Sequence, residues 1–184
     1  MDIFQIFIRY YPIWSSREII VIVCILLSSS ILAVVLLRAG KIKLSQAISG
    51  MLLMIYLLLV IGSTVFTRTP KKRQYQLELF WSWKEIIKPI GRTGAMTNKG
   101  LLLENLLNMV LLSPAGLLLP IAYHKKVKWY HSLVFGLVFS GMIEICQLIF
   151  CRGLFEFDDI IHNGIGCLAG TLLGNLFLSF GKRT

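Results

Sequence analysis

Five apolar runs, Ile19–Leu37, Ala47–Phe66, Leu101–Tyr123, Trp129–Phe150 and Ile160–Phe180, take up most of this chain of 184 residues. Each approaches the ~20 residues that a helix rising 1.5 Å per residue needs to cross a ~30 Å hydrocarbon core. Lipid offers the backbone no hydrogen bonds and the runs lack the alternation of barrel strands, so each is expected to be helical. The expected fold is all-α, an integral membrane bundle of about five transmembrane helices with a polar cluster at one membrane face. Its parts are an N-terminal segment, 1–18, and a membrane domain, 19–184, whose second and third spans are joined by a long connector, 67–100. Composition agrees, with 56% of residues hydrophobic and 15% charged, where soluble domains hold roughly 45–50% and about 25%. The chain is too apolar for disorder, and too poor in Gly, Pro and Cys for a collagen-like or disulfide-stapled fold.

The formal net charge of +10 is concentrated in the gaps between apolar runs, as expected of membrane connectors facing anionic lipid. Membrane lipid is therefore an expected partner. Nucleic acid is not, because the basic residues form no continuous face interleaved with aromatics. Cys24, Cys146, Cys151 and Cys167 contain no Cys-x-x-Cys pair and read as small buried apolar groups. Phe4, Phe7, Tyr11 and Trp14 recur at helical spacing with Arg9 and Arg17 among them, which suits an interfacial helix. The first run ends in Leu36-Leu37-Arg38 rather than in a small-x-small cleavage site, so it is expected to stay as a span. The long connector is too polar to cross. Its Phe80-Trp81-Ser82-Trp83 stretch is expected to dip into the interface or to cover the mouth of the bundle, while Gly91, Gly94 and Gly100 keep its second half irregular.

For the direction of insertion, the turns at Arg38, Lys41 and Lys43 and at Lys125, Lys126 and Lys128, with Lys182 and Arg183, give one face eight basic residues. The other face has eleven, but diluted by acids. Density in the short connectors places the N-terminus outside and the C-terminus in the cytoplasm of a bacterial plasma membrane protein, although the plain count points the other way.

An ionisable residue inside a span costs about 2.5–3.5 kcal/mol on insertion scales, so each asks for a partner or a role. The third run holds Glu104, Asn105 and Asn108, the fourth Glu144 and Gln147, and the fifth opens with Asp158, Asp159, His162 and Asn163. Alternating spans bring all of these to one membrane face, together with Arg68 and Arg152. The pairs Asn105/Asn108 and Glu144/Gln147 are i,i+3, and Asp158/His162 and Asp159/Asn163 are i,i+4, so each helix offers a polar stripe. Gly136 and Ser140 continue the stripe of the fourth span, and Gly166, Gly170 and Gly174 form a small-xxx-small helix-packing pattern on the fifth, with dimerisation as its alternative use. Pro114 is expected to kink the third span. Two readings of the cluster stand side by side: groups that satisfy one another, or a binding or reactive pocket at the membrane surface. Three acids and one histidine are permissive for a divalent cation, but there is no His-Glu-x-x-His, and His124 and His131 belong to the opposite face. No metal or other cofactor is therefore expected.

The ordered set Asn105 and Asn108, Pro114-x-Gly116, Ser140-x-x-x-Glu144-x-x-Gln147, Arg152, Asp158-Asp159-x-x-x-Asn163-x-x-Gly166-x-x-x-Gly170 resembles the VanZ-like family of small bacterial membrane proteins. The resemblance covers about Leu52 to Leu178, including the helix end from Tyr56 to Arg68. It implies a role in reduced susceptibility to teicoplanin and related glycopeptides, without implying a reaction. The expected function is an envelope protein whose outward pocket engages a lipid, cell-wall precursor or glycopeptide headgroup. Asn105, Asn108, Glu144, Gln147, Arg152, Asp158, Asp159 and Asn163 would line it, the acids taking amines or sugar hydroxyls and Arg152 a phosphate or carboxylate. The alternative is an intramembrane hydrolase or transferase that uses a buried carboxylate as general base on a lipid-linked substrate, with Arg152 or His162 stabilising charge. An ion pathway on Glu144 and the Asp pair is a third reading, which the lack of polar residues in the first two spans opposes.

Overall fold

The computed structural model of the chain describes residues 15–87 and 94–180, with backbone only at 94–97. The aromatic segment expected to lie in the interface, Phe4 to Trp14, falls outside the described residues. Helix α1 (Ser16–Arg38) is followed by α2 (Leu44–Ile61), which runs on into a wide turn, Gly62–Phe66. The connector then holds a three-residue strand, β1 (Gln74–Gln76), and a short helix, α3 (Trp81–Ile87). Helices α4 (Gly94–Leu111) and α5 (Ser113–Tyr123) together make the third span, α6 (Trp129–Phe150) the fourth, and strand β2 (Leu154–Glu156) leads into α7 (Phe157–Phe180). Among the described residues five helical segments are long and apolar enough to cross a membrane, and their ends fall within three residues of the apolar runs.

Residues at span ends explain where the helices begin and stop. Ser15 caps α1 in a reciprocal box with Glu18, its hydroxyl accepting from Glu18 N while its own N–H donates to the Glu18 carboxylate at 2.8 Å. His124 and Cys151 end α5 and α6 in the left-handed conformation, with φ 54° at each. The break in the third span sits at Leu112, two residues before Pro114. Pro114 has no N–H for the Val110 carbonyl four residues back, and the Ser113 hydroxyl donates to that carbonyl at 2.9 Å instead. Tyr56 on α2 donates to the Leu111 carbonyl at 2.7 Å, so the break is tied to a neighbouring helix.

One expectation about the connector needs correction. Gly94 and Gly100 are helical, because α4 extends beyond the apolar run, and the Asn98 side chain anchors its start to the Ile86 carbonyl at 3.0 Å. A glycine inside a helix costs only about 1 kcal/mol relative to alanine, too little to stop a helix that is continued by the apolar run. The connector also holds β1, which pairs in parallel with β2, Tyr75 opposite Phe155.

Helix α7 lies between the third and fourth spans. Its Gly166, Gly170 and Gly174 face the third span so closely that an added Cβ would meet the carbonyl oxygens of Met109, Ser113 and Leu117. The small-xxx-small stripe is thus used inside the bundle. Gly136 of α6 meets the other side of α7, where its Cβ would fall 2.7 Å from Cys167 Cβ and 3.0 Å from Gly164 Cα. Near the start of α6 the Ser132 hydroxyl lies 2.6 Å from that of Thr171, which donates to the Gly116 carbonyl at 2.8 Å, so α5, α6 and α7 share one buried hydrogen-bond joint. Around it Val60, Val65, Leu112, Ala115, Leu119 and Ile143 form the core. Helix α1 packs on α2 and contributes no buried residue. All four cysteines are free.

Gly170→Val should drive a side chain into the Ser113 carbonyl and lower stability by about 1–3 kcal/mol or more, read as a fall in melting temperature in detergent. Gly141→Ala, with nothing within 4 Å of its Cβ, should leave the melt unchanged. Equal melts for the two variants would contradict this packing.

Candidate functional site

The acidic start of α7 organises the polar face. Asp158, 1% exposed, accepts from the backbone N–H of Phe80 at 2.5 Å and of Ser82 at 3.2 Å, and from the Ser82 hydroxyl at 2.7 Å. One carboxylate thus binds two free N–H groups at the start of α3 and holds Phe80 in its left-handed turn, φ 58°. Asn105 on α4 donates to the same Ser82 hydroxyl at 3.1 Å. One turn further along α7, His162 Nε2 accepts from the Trp83 indole N–H at 2.7 Å. The Phe80–Trp83 stretch therefore covers the mouth of the bundle, fixed by Asp158 and His162.

The neighbouring positions make a second tier. Asn108 donates to Asp159 Oδ1 at 2.6 Å, and Asn163 to the Ser140 hydroxyl at 2.8 Å, which joins α7 to both flanking spans. Glu144, 2% exposed, accepts from the backbone N–H of Glu156 at 3.1 Å and so holds the end of β2. Gln147 donates to the Thr64 carbonyl at 3.2 Å. That carbonyl is available because α2 ends in a wide turn, where Thr67 N–H reaches back five residues to Gly62 O at 3.1 Å.

Every residue expected at the site reaches this face, but the two arginines divide their roles. Arg152 donates to the Phe66 carbonyl at 3.0 Å and lies 3.5 Å from Glu18, so it fastens the α6–β2 turn to α1 and α2. Arg68 reaches the Gln147 side of the cluster, where its Nη1 and Gln147 Oε1 each lie 2.9 Å from the place a Cβ on Gly153 would take. Glu104 is exposed at the rim of the cluster. Ser82, Trp83, Thr64 and Glu156 enter as site residues that the spacing of polar groups in the spans did not reveal. The sequence signal available for the first two was a serine between two tryptophans in the connector.

The network is incomplete. Among the described residues Gln147 Oε1, Asn163 Oδ1 and His162 Nδ1 are buried and find no hydrogen-bond partner, and the residues that carry them are only 2–3% exposed. The buried Trp81 indole N–H faces Glu156 without a hydrogen bond of good geometry. With Nε2 of His162 accepting from Trp83, its Nδ1 carries the proton in the neutral ring and is a donor. The site thus presents two spare acceptors and two spare donors beside the carboxylates of Glu144, Glu156 and Asp159. Among the described residues no three His, Cys, Asp or Glu side chains are grouped to hold a metal ion.

A small multi-pass helical membrane protein with a buried polar cluster closed by its longest connector is the class that this fold and site define. Residues 47–178 match the VanZ/LLP1 family model, and the chain belongs to the VanZ-like family. No curated protein and no solved structure matches it. The matched region takes in every cluster residue from Thr64 to Asn163 and leaves out α1.

Glu156 lies outside the spans, and burial, with Asp159 and Glu104 adding repulsion, pushes its carboxyl up to about 7 from 4.5. An acid raised in the fold costs stability as pH rises past 4.5, and the cost is complete above about 7. Melting temperature should therefore fall between about pH 5 and pH 8, and Glu156→Gln should flatten that fall and melt higher at the upper pH. Parallel pH profiles for the two proteins would contradict the assignment.

Proposed function

We propose that the polar face of this VanZ-like protein binds the headgroup of a lipid, cell-wall precursor or glycopeptide, and through it lowers susceptibility to teicoplanin-type glycopeptides. The observation that carries the reading is the set of atoms Gln147 Oε1, Asn163 Oδ1 and His162 Nδ1, which have no partner among the described residues and sit on residues almost fully buried. A buried polar atom without a partner costs about 1–3 kcal/mol, and a fold that merely joined its helices would have no use for three at one end. Two spare acceptors beside Glu144, Asp159 and Glu156 suit a ligand rich in donors, an amine or a set of sugar hydroxyls. Asn105, Asn108 and Asp158 hold the walls and the connector in place, and Arg152 braces the floor through Phe66 and Glu18.

The reading sets the N-terminus and this face outside a bacterial plasma membrane and the C-terminus in the cytoplasm, where an extracellular headgroup meets the site. A single cysteine at exposed Lys72 should then be labelled in intact cells, and one at exposed Lys126 only after permeabilisation.

Glu144→Gln and Asp159→Asn remove the ionisable carboxyl while keeping the side chain's shape and one acceptor oxygen. Loss of a charge-assisted hydrogen bond is worth about 1.5–3 kcal/mol, a roughly 10–100-fold weaker complex. Cells expressing either variant at the wild-type level should return to the teicoplanin susceptibility of cells lacking the protein. Full protection by both variants would overturn the reading.

A further inference from the structure

The end of the bundle opposite the polar face carries its own cavity. Between α5, α6 and their connecting turn lies a space of about 520 Å³, within the usual size range of small-molecule sites. Lys125, Lys126, Lys128 and His131 supply its polar side, and Leu119 and Phe135 its apolar wall. The turn that carries the lysines is held firmly. The Asn175 side chain of α7 accepts from Val127 N–H at 2.9 Å and donates to Val127 O at 2.8 Å, clamping the middle of the turn from both sides. His124, at its start, lies 2.6 Å from the Ser45 hydroxyl on α2.

Charge at this end is one-sided. Arg38, Lys41 and Lys43 in the α1–α2 turn share it with the three lysines, and no Asp or Glu occurs between Glu18 and Glu78 or between Glu104 and Glu144. The cavity therefore collects cations that no carboxylate of the described chain neutralises. Its depth in the bilayer is marked by Tyr123, Trp129 and Tyr130, all exposed around the turn, as aromatic side chains are at the headgroup layer. Cations on one side and an apolar wall on the other, at headgroup depth, match a molecule with an anionic head and an aliphatic start to its tail.

We propose that this cavity is a binding site for one anionic phospholipid of the adjoining leaflet, its phosphate held by Lys125, Lys126 and Lys128 and its first methylenes laid on Leu119 and Phe135. The site stands at the other end of the bundle from the acidic polar face and does not depend on it. Free phosphate would meet the lysines but leave the apolar wall uncovered, and the lipid satisfies both.

The test is native mass spectrometry of the full chain, released from detergent after incubation with phosphatidylglycerol or with phosphatidylcholine. One phosphatidylglycerol should be retained, with at least about tenfold preference, equivalent to 1.4 kcal/mol. The triple variant Lys125→Gln, Lys126→Gln, Lys128→Gln should lose the preference, and the triple Lys→Arg variant should keep it with unchanged helicity. Removing the same charge elsewhere, by Lys71→Gln, Lys72→Gln and Arg73→Gln, should leave the preference intact. Equal retention of the two lipids, survival of the preference in the turn variant, loss of it in the control triple, or displacement of the lipid by millimolar inorganic phosphate alone would each overturn the proposal.

Discussion

The carboxylate of Asp158 is the interaction on which the polar end of this protein depends. It sits at the start of the last span, where helix α7 still has unpaired N–H groups of its own, yet it turns to the connector and takes three donors from Phe80 and Ser82. A buried carboxylate is tolerated only when its oxygens are well bonded, and here the bonding partner is a segment that would otherwise have little to fix it. The left-handed turn at Phe80, the seven-residue helix after it, the reach of Trp83 to His162 and the Asn105 contact to Ser82 all follow from that anchor. The parallel pairing of β1 with β2 closes the other side of the same connector.

Close approach of backbones makes this arrangement possible. Small residues on both sides of α7 let the third and fourth spans come near enough for short side chains to bond across them, Asn108 to Asp159 and Asn163 to Ser140. In lipid there is no hydrophobic gain from bringing helices together, so packing and hydrogen bonds between them carry more of the load. The two ends of the bundle then differ in kind: one is rich in acids and amides and closed by a connector, the other basic and open toward the headgroup layer.

Much of this was legible in the chain itself, for identifiable reasons. Span limits follow from hydropathy because the cost of polar groups in hydrocarbon is large and local, and the ends of the five helices show it. The convergence of Asn105, Asn108, Glu144, Gln147, Asp158, Asp159 and Asn163 followed from helical spacing and alternating direction alone. Partner choice did not. Gln147 finds Thr64 because α2 widens at its end, and a wide turn of Ser, Thr and Gly residues has no period to read. Arg152, just after the left-handed residue Cys151, spends its charge on Phe66 and Glu18 instead of on the acids, which the spacing of polar residues could not show. Three-residue strands are too short to show alternation, which left β1 and β2 hidden, and Gly94 and Gly100 are helical because α4 begins before the apolar run, where glycine lowers helix preference without forbidding it.

Hydrogen exchange of the full chain in lipid nanodiscs, read at the Phe80 and Ser82 amides, tests the anchoring of the connector most directly. Those two N–H groups should exchange as slowly as amides in the interior of α7, and Asp158→Ala should release both to rates typical of an open loop while α7 stays protected. Fast exchange at Phe80 and Ser82 in the wild-type protein, or protection that survives the loss of the Asp158 carboxylate, would contradict the account.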